Sequence, residues 1–261
     1  MKVREVMTSG VISVDKDVSL KRVLDLMEKY DVTKIPVLEQ KKIVGIVSDN
    51  IIAYKLGSFR KRMVSASRLH ASSVIEKKFE TVSPDAEVAT ILRKVGEPGP
   101  TMLPVVEKGK LVGVVTKADL LPLVKSKKLV GTIVSSRVFM VSPDDRVVHA
   151  RRVMLDNNVA RLPVVHNGKL VGMISDREIA FAFASLKKSI TLGRQKHMLE
   201  ELLVEDVMRT PAVWIPSSMG IDDAARIMLK LNVGALPVLR GITLVGIISR
   251  TDLLRTVSLK S

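Results

Sequence analysis

The feature that most constrains the fold of this chain is a block of sequence that occurs four times. Each copy carries a short apolar strip around a proline: Ile35-Pro36-Val37-Leu38, Leu103-Pro104-Val105-Val106, Leu162-Pro163-Val164-Val165 and Leu236-Pro237-Val238-Leu239. A glycine follows each proline after nine residues: Gly45, Gly113, Gly172 and Gly246. A hydroxyl residue follows each glycine after three: Ser48, Thr116, Ser175 and Ser249. Because the four copies keep the same spacing, the chain is predicted to be a repeat protein.

The elements of one copy can be predicted from its residue pattern. A branched apolar residue lies 22 positions before each proline: Val14, Val82, Val141 and Ile215. The residues that follow it have helical period, which predicts an amphipathic helix. The proline and glycine runs are short and separated by turn residues such as Asn167-Gly168, which predicts a β-hairpin. A second helix should begin at the hydroxyl residue, so each unit is predicted to be β-α-β-β-α in an α+β fold.

Such a unit should pair with another, because a sheet of about three short strands with helices on one face cannot enclose its own core. We predict repeats at residues 1–56, 72–124, 130–183 and 203–258. The first two should form one pair and the last two another. Long connectors at 57–70 and 186–198 lie inside the pairs, and a short one at 124–130 joins them.

The amino-acid composition excludes several classes of function. The absence of cysteine excludes disulfides, thiolate catalysis and Cys-type metal sites. The four histidines lack paired helical spacing, and we find no catalytic motif, so neither a metal site nor an enzyme is expected. The apolar runs are too short for a membrane span, and the first residues do not resemble a signal peptide. We therefore expect a cytoplasmic protein with no membrane partner.

The net charge of +15 attracts polyanions such as nucleotide phosphates or nucleic acid. A merely charged surface of the thermophile kind explains it equally well. The basic connectors from Arg60 to Arg68 and from Lys187 to Lys196 favour nucleic acid, whereas the 3% aromatic content leaves few side chains for base stacking. Nucleic acid therefore stays an alternative partner.

The proline strip, the glycine nine residues later and the Ser/Thr-x-x-Asp that follows resemble the CBS-domain family. The four-repeat layout is similar to that of the γ subunit of AMP-activated protein kinase and its archaeal relatives. This resemblance implies two Bateman modules, each a pseudo-twofold pair of repeats, packed into a flat disc. It also implies a non-catalytic regulator that binds AMP, ADP or ATP between paired repeats, signals to a partner protein and can form a homodimer. S-adenosylmethionine or another adenosyl ligand is the alternative.

The Ser/Thr-x-x-Asp motif itself suits a nucleotide. A hydroxyl and free backbone N–H groups at a helix start can donate hydrogen bonds to a phosphate, and an aspartate one turn later can accept hydrogen bonds from ribose. The alternative is a helix cap alone. The motif is complete at Thr116 with Asp119 and at Ser249 with Asp252; repeat 3 has Ser175 with Glu178. Repeat 1 has Ile51 in place of the carboxylate, so its site should be weak or empty.

The remaining site residues follow from the resemblance and from the apolar pattern. In the γ subunit a base two positions before the proline reaches phosphate, and Lys34 and Arg161 occupy that position here. Our hypothesis is that Lys34 faces the phosphate held with Asp119, and Arg161 the phosphate held with Asp252; solvated strand-end charges are the alternative. An apolar slot for adenine is expected from Thr81, Val82, Leu103, Pro104, Val213, Leu236 and Pro237. Trp214 is expected in the core or at a module edge.

Overall fold

The computed structural model describes residues 1–58, 69–95, 102–135, 137–189 and 198–257, and four repeats of one unit occupy them. Repeat 1 comprises β1 (Val14–Asp15), α1 (Leu20–Lys29), β2 (Lys34–Glu39), β3 (Lys42–Ser48) and α2 (Asp49–Ser58). Repeat 2 comprises α3 (Val88–Val95), β4 (Met102–Glu107), β5 (Lys110–Thr116) and α4 (Lys117–Leu120). Repeat 3 comprises α5 (Val147–Asp156), β6 (Arg161–His166), β7 (Lys169–Ser175) and α6 (Asp176–Ser189). Repeat 4 comprises β8 (Ile215–Pro216), α7 (Ile221–Lys230), β9 (Ala235–Arg240), β10 (Thr243–Ser249) and α8 (Arg250–Leu254).

Each repeat has the predicted β-α-β-β-α order. The entry strand pairs in parallel with the proline strand, as in the pairing of Val14 with Val37. In repeats 2 and 3 the entry strand is reduced to single bridges, Val82 to Val105 and Val141 to Val164. The proline and glycine strands form an antiparallel hairpin in all four repeats. The prediction of an α+β fold built from four such units is therefore confirmed.

The segment that precedes each repeat packs on the other repeat of its pair. Thr8, ahead of repeat 1, pairs with Val114 of repeat 2, and Glu76, ahead of repeat 2, pairs with Ile46 of repeat 1. Repeats 3 and 4 exchange segments in the same way, since Ser135 pairs with Ile247 and Arg209 pairs with Met173. We call these four stretches the crossing segments: 1–8, 70–76, 129–135 and 203–209. Their exchange fastens repeat 1 to repeat 2 and repeat 3 to repeat 4.

The crossing segments explain the glycine that marks each repeat. A Cβ added at Gly246 would lie 2.6 Å from the carbonyl oxygen of Ser135, and one at Gly45 would lie 2.8 Å from that of Glu76. The corresponding distance is 2.9 Å at Gly172 and 3.1 Å at Gly113. The distances at Gly246, Gly45 and Gly172 are shorter than real Cβ contacts, so the close passage of the backbone requires glycine there, and the distance at Gly113 is tight.

Two shared cores join the pairs to each other. Buried residues of repeats 1 and 3 form one cluster, where α2 packs against α6. Buried residues of repeats 2 and 4 form a second cluster, where α4 packs against α8. Strands make the contacts inside each pair, β3 with β5 and β7 with β10. Each repeat thus contacts its own pair partner through strands and one repeat of the other pair through helices.

Among the helices that the structure describes, each is too short or too polar to cross a membrane.

Candidate functional site

The complete motif of repeat 2 lies at the junction of β5 and α4. Asp119 Oδ2 accepts hydrogen bonds from Thr116 N at 2.7 Å and from Thr116 Oγ1 at 2.6 Å. Its other oxygen, Oδ1, accepts from Thr8 Oγ1 at 2.8 Å. Thr8 belongs to the first crossing segment, so this carboxylate joins the motif to the segment that covers repeat 2. A ribose that bound Asp119 would have to share or replace the Thr8 hydroxyl.

The motif of repeat 4 has the same local geometry. Asp252 Oδ2 accepts from Ser249 N at 2.7 Å and from Ser249 Oγ at 2.6 Å. Asp252 is partly exposed, as is Asp119. The two motifs are therefore matched capping boxes, and the helix-cap role considered from the sequence is present in both. A nucleotide role has to rest on what surrounds them.

The lengths of the helices weaken the expectation, made from the sequence, that a helix start at these motifs binds phosphate. The complete motifs begin α4 and α8, which have only four and five residues. The longer helices, α2 with 10 residues and α6 with 14, follow the incomplete motifs of repeats 1 and 3. Because one helical turn aligns few peptide dipoles, the dipoles of α4 and α8 contribute little to anion binding. A phosphate at these motifs would need cationic side chains.

A pair of lysines supplies such cations beside the repeat 2 motif. Lys117 follows Thr116 directly and is only 8% exposed. Burial, followed by the positive charges of Lys34 and Arg255, lowers the pKa of Lys117 to about 8. Burial also lowers the pKa of Lys34, which begins β2 of repeat 1. Lys34, from the other repeat of the pair, is thus near enough for its charge to act on Lys117, the residue that follows Thr116.

A pair of arginines takes the same place in the second pair of repeats. The guanidinium of Arg161 in repeat 3 packs on Gly234 of repeat 4, where an added Cβ would lie 2.7 Å from Nη2. The carbonyl of Gly234 accepts from the backbone N–H of Arg250 at 3.1 Å, and Arg250 follows Ser249 directly. Burial lowers the pKa of Arg161. Burial, followed by the charge of Arg161, lowers the pKa of Arg250 to about 10.

The residues that follow the hydroxyls of repeats 1 and 3 are acidic instead. Burial raises the pKa of Asp49, and burial raises the pKa of Asp176 to about 6. Asp176 is bound to its neighbours: Oδ1 accepts from Arg151 Nη1 at 2.7 Å, and Oδ2 from Asn50 Nδ2 at 2.8 Å. Sequence reasoning missed this alternation of acid and base one position after the hydroxyl, although the signal is visible once the four motifs are aligned.

The motifs of repeats 1 and 3 are occupied by the chain itself. Glu178 accepts from Ser175 N at 3.0 Å, from Ser175 Oγ and, on its other oxygen, from Arg209 Nε at 2.7 Å. Arg209 comes from the fourth crossing segment. In repeat 1 Ser48 only caps α2, accepting from Ile51 N at 3.2 Å. Glu178 is thus paired with a cation of the chain, whereas no ion pair of Asp119 or Asp252 occurs among the residues that the structure describes.

The residues predicted for adenine are placed differently from one another. Leu103 and Leu236 are fully buried in the core shared by repeats 2 and 4. Pro104 is buried and its carbonyl accepts from Val82 N at 3.0 Å; Pro237 is buried as well. Thr81 and Val213 lie on the surface. The structure does not assign these residues to a ligand, and the adenine slot stays a prediction.

Two further expectations concern surface features. Trp214 was expected in the core or at a module edge; it is 48% exposed, which rules out the core and leaves the edge. The basic connector from Arg60 to Arg68 lies outside the described residues, and so does most of the one from Lys187 to Lys196.

Comparison with known proteins identifies the repeat. The sequence model of the CBS domain matches residues 3–57, 71–126, 130–185 and 204–259. The chain is 27% identical over 266 residues to the uncharacterized protein MJ1404 of Methanocaldococcus jannaschii, covering 98% of this chain and 62% of that relative. It therefore spans less than two thirds of that protein. The CBS domain-containing protein YhcV of Bacillus subtilis is 32% identical over 120 residues, which cover 46% of this chain and 79% of YhcV.

A solved structure resembles the whole chain. The crystal structure of MJ1225 from Methanocaldococcus jannaschii, described as a proposed archaeal homologue of γ-AMPK, superposes with a TM-score of 0.84. The match covers 98% of this chain and 99% of MJ1225 at 21% identity. At that identity the likeness establishes the fold: four repeats in tandem.

Proposed function

The chain belongs to the CBS domain family, and from that premise we propose that it is a non-catalytic regulatory protein that binds two adenine nucleotides. One nucleotide would bind at the Thr116–Asp119 motif of repeat 2 and the other at the Ser249–Asp252 motif of repeat 4. The proposal draws on the family resemblance for adenosine and on the charges around the two motifs for phosphate.

The observation that carries the proposal is the pairing of desolvated like charges. Lys34 with Lys117, and Arg161 with Arg250, each bring two cations from different repeats next to a complete motif. Removing a cation from water is unfavourable unless an opposite charge compensates, and a second cation increases the cost. Carboxylates already act on these cations, Asp49 on both Lys34 and Arg161 and Asp119 on Arg250. A phosphate bound between the two cations would add a further negative charge and charge-assisted hydrogen bonds.

The same charges favour a phosphorylated ligand over S-adenosylmethionine. The sulfonium of S-adenosylmethionine is positive, so two nearby cations would repel it. The ribose is common to both ligands and would be bound by Asp119 or Asp252 in either case. We therefore place AMP, ADP and ATP ahead of S-adenosylmethionine at both sites.

Repeats 1 and 3 have a different role in this proposal. They supply Lys34 and Arg161, whereas their own motifs hold no nucleotide. Glu178 is already paired with Arg209 at 2.7 Å, and repeat 1 has no carboxylate at the corresponding position, where Ile51 stands. The expected stoichiometry is two nucleotides for each chain.

The crossing segments offer a route from ligand to partner protein. A ribose at Asp119 competes with the hydroxyl of Thr8, and Thr8 lies on the segment 1–8 at the surface of repeat 2. A ligand changes a conformational equilibrium only when it prefers one arrangement, and this competition provides such a preference. The partner would read the altered surface of the segment.

Isothermal titration with AMP, ADP, ATP and S-adenosylmethionine tests the proposal. We compare the parent protein with Asp119→Asn/Asp252→Asn, which keeps an oxygen to cap each helix. Losing a charged partner lowers affinity by roughly 10- to 100-fold, and thermal unfolding should change little. Glu178→Gln is the matched control and should leave the two-site stoichiometry unchanged.

Three results would reject the proposal. One is absence of binding by all three nucleotides, and another is equal affinity for S-adenosylmethionine. A third is salt-sensitive binding to duplex DNA that the double variant retains, because this would favour the basic surface as a nucleic-acid site.

A further inference from the structure

The two complete motifs are in direct contact with each other. Lys117 lies inside the repeat 2 motif, between Thr116 and Asp119, and Thr251 lies inside the repeat 4 motif, between Ser249 and Asp252. Lys117 Nζ donates a hydrogen bond to Thr251 Oγ1 at 2.6 Å. The donor is only 8% exposed, so water competes little for it. One partly buried hydrogen bond thus links the two proposed sites across the interface between the pairs.

The repeat 4 motif acts on the Lys117 ammonium through the hydrogen bond to Thr251 and through the charge of Asp252. Lys34, from the partner repeat, and Arg255, from repeat 4, repel it, whereas Asp252 attracts it. The attraction by Asp252 and the hydrogen bond to Thr251 both involve the repeat 4 motif. The lysine that the sequence places in the repeat 2 site therefore serves the electrostatics of the repeat 4 site.

The other helical interface uses the same geometry without two sites to connect. Asn50 Nδ2 donates to Asp176 Oδ2 at 2.8 Å between repeats 1 and 3. There, too, the residue directly after one motif hydroxyl, Asp176 after Ser175, contacts the second residue after another, Asn50 after Ser48. Because the motifs of repeats 1 and 3 are incomplete or already paired, this contact is structural only.

We propose that Lys117 is shared between the two nucleotide sites and makes their binding negatively cooperative. This inference rests on the proposed function. A phosphate between Lys34 and Thr116 would neutralise the repulsion from Lys34 and attract the Lys117 ammonium, so the hydrogen bond to Thr251 would be lost. The repeat 4 site would then lose a nearby cation, and its nucleotide would bind more weakly. Linkage requires the reverse effect to be equal.

The expected coupling is about 10-fold, the value of one charge-assisted hydrogen bond at the low end of its range. It is measured as a ratio of binding constants. Titration of Arg161→Ala, in which the repeat 4 site is weakened, gives the affinity of the repeat 2 site alone. Titration of Asp119→Asn gives the affinity of the repeat 4 site alone. The coupling factor is the product of the two macroscopic association constants of the parent, divided by the product of the association constants measured in the two variants.

The titrations use the nucleotide that binds the parent protein most tightly. The three titrations, of the parent, of Arg161→Ala and of Asp119→Asn, are repeated in two further backgrounds. Lys117→Met removes the charge and keeps the apolar stem, and Thr251→Val removes the acceptor and keeps the shape. In both we expect the coupling factor to rise from about 0.1 to about 1. Lys110→Met removes an exposed lysine at the start of strand β5; it is the control and should keep the parent value.

The outcomes separate this inference from the proposed function. A parent that binds two nucleotides with a coupling factor of 1 overturns the inference and leaves the function intact. A factor near 0.1 that persists in Lys117→Met also overturns it, because the coupling would then have another origin. A parent that binds no nucleotide rejects both.

Discussion

Replacing Gly234 by alanine tests the cross-repeat phosphate site without removing a charge. Gly234 precedes β9, and its Cα faces the guanidinium of Arg161, so that an added Cβ would lie 2.7 Å from Nη2. The equivalent position is Thr33 in repeat 1 and Ala160 in repeat 3, so the repeated unit itself does not require glycine there. We infer that Gly234 makes room for Arg161, and Gly234→Ala should displace the guanidinium from the repeat 4 site.

The size of the effect follows from the contact that is lost. A displaced Arg161 would no longer donate charge-assisted hydrogen bonds to phosphate, which costs about 1.5–3 kcal/mol, or roughly 10- to 100-fold in affinity. The arginine is a flexible side chain, so the protein should remain folded with nearly unchanged thermal stability. Calorimetric titration in the Asp119→Asn background isolates the repeat 4 site. Circular dichroism melting checks the fold.

A double-variant cycle supplies the control. In Arg161→Ala the guanidinium is absent, so adding Gly234→Ala should change affinity no further. If Gly234→Ala binds nucleotide as tightly as its parent, Arg161 does not contact the phosphate. If its effect persists in Arg161→Ala, the glycine acts on the site through the backbone, and the assignment of Arg161 is wrong.

Three further predictions concern packing, pH and the buried ion pair. Gly246→Ala should destabilise the protein more than Gly113→Ala in urea unfolding, because its Cβ would lie 2.6 Å rather than 3.1 Å from the crossing backbone oxygen; equal losses would contradict the packing argument. Nucleotide affinity should fall as the pH rises from about 7 to about 9, because Lys117, with its pKa lowered to about 8, then loses its charge; calorimetry of Lys117→Met should give a flatter profile. Asp176→Asn should lower the free energy of unfolding by about 3–5 kcal/mol, since it leaves Arg151 buried without its counter-charge, and adding Arg151→Leu should recover part of that loss in denaturant titration.

The repeated unit could be predicted from sequence because its signals are local. The proline strip, the turn and the glycine strand lie within about 15 residues of each other, and strand and helix periods are read over the same distance. The reason for the glycine was not predictable. The backbone that passes over Gly246 belongs to Ser135, more than 100 positions earlier, and no local pattern indicates which segment will cross a strand.

The candidate site, like the fold, includes residues that the sequence indicates and residues that it does not. Asp119 and Asp252 are indicated by the motif, and their part in a nucleotide site stays a prediction, as does that of Lys34, whose charge acts on Lys117. Thr8 and Arg209 could not be found by that reasoning, because they reach the motifs from crossing segments of other repeats. The short lengths of α4 and α8 were not predicted either. Because of them, phosphate binding would depend on side chains rather than on helix dipoles.

The division of roles between the repeats means that a single repeat could not make either proposed site. Repeats 2 and 4 hold the carboxylates Asp119 and Asp252, whereas repeats 1 and 3 hold Lys34 and Arg161 at the starts of β2 and β6. The crossing segments fix each pair, and the shared cores fix one pair against the other. A nucleotide that contacted both a carboxylate and the facing cation would therefore bind the paired arrangement and no separated repeat, so its binding energy would stabilise the assembly of repeats itself.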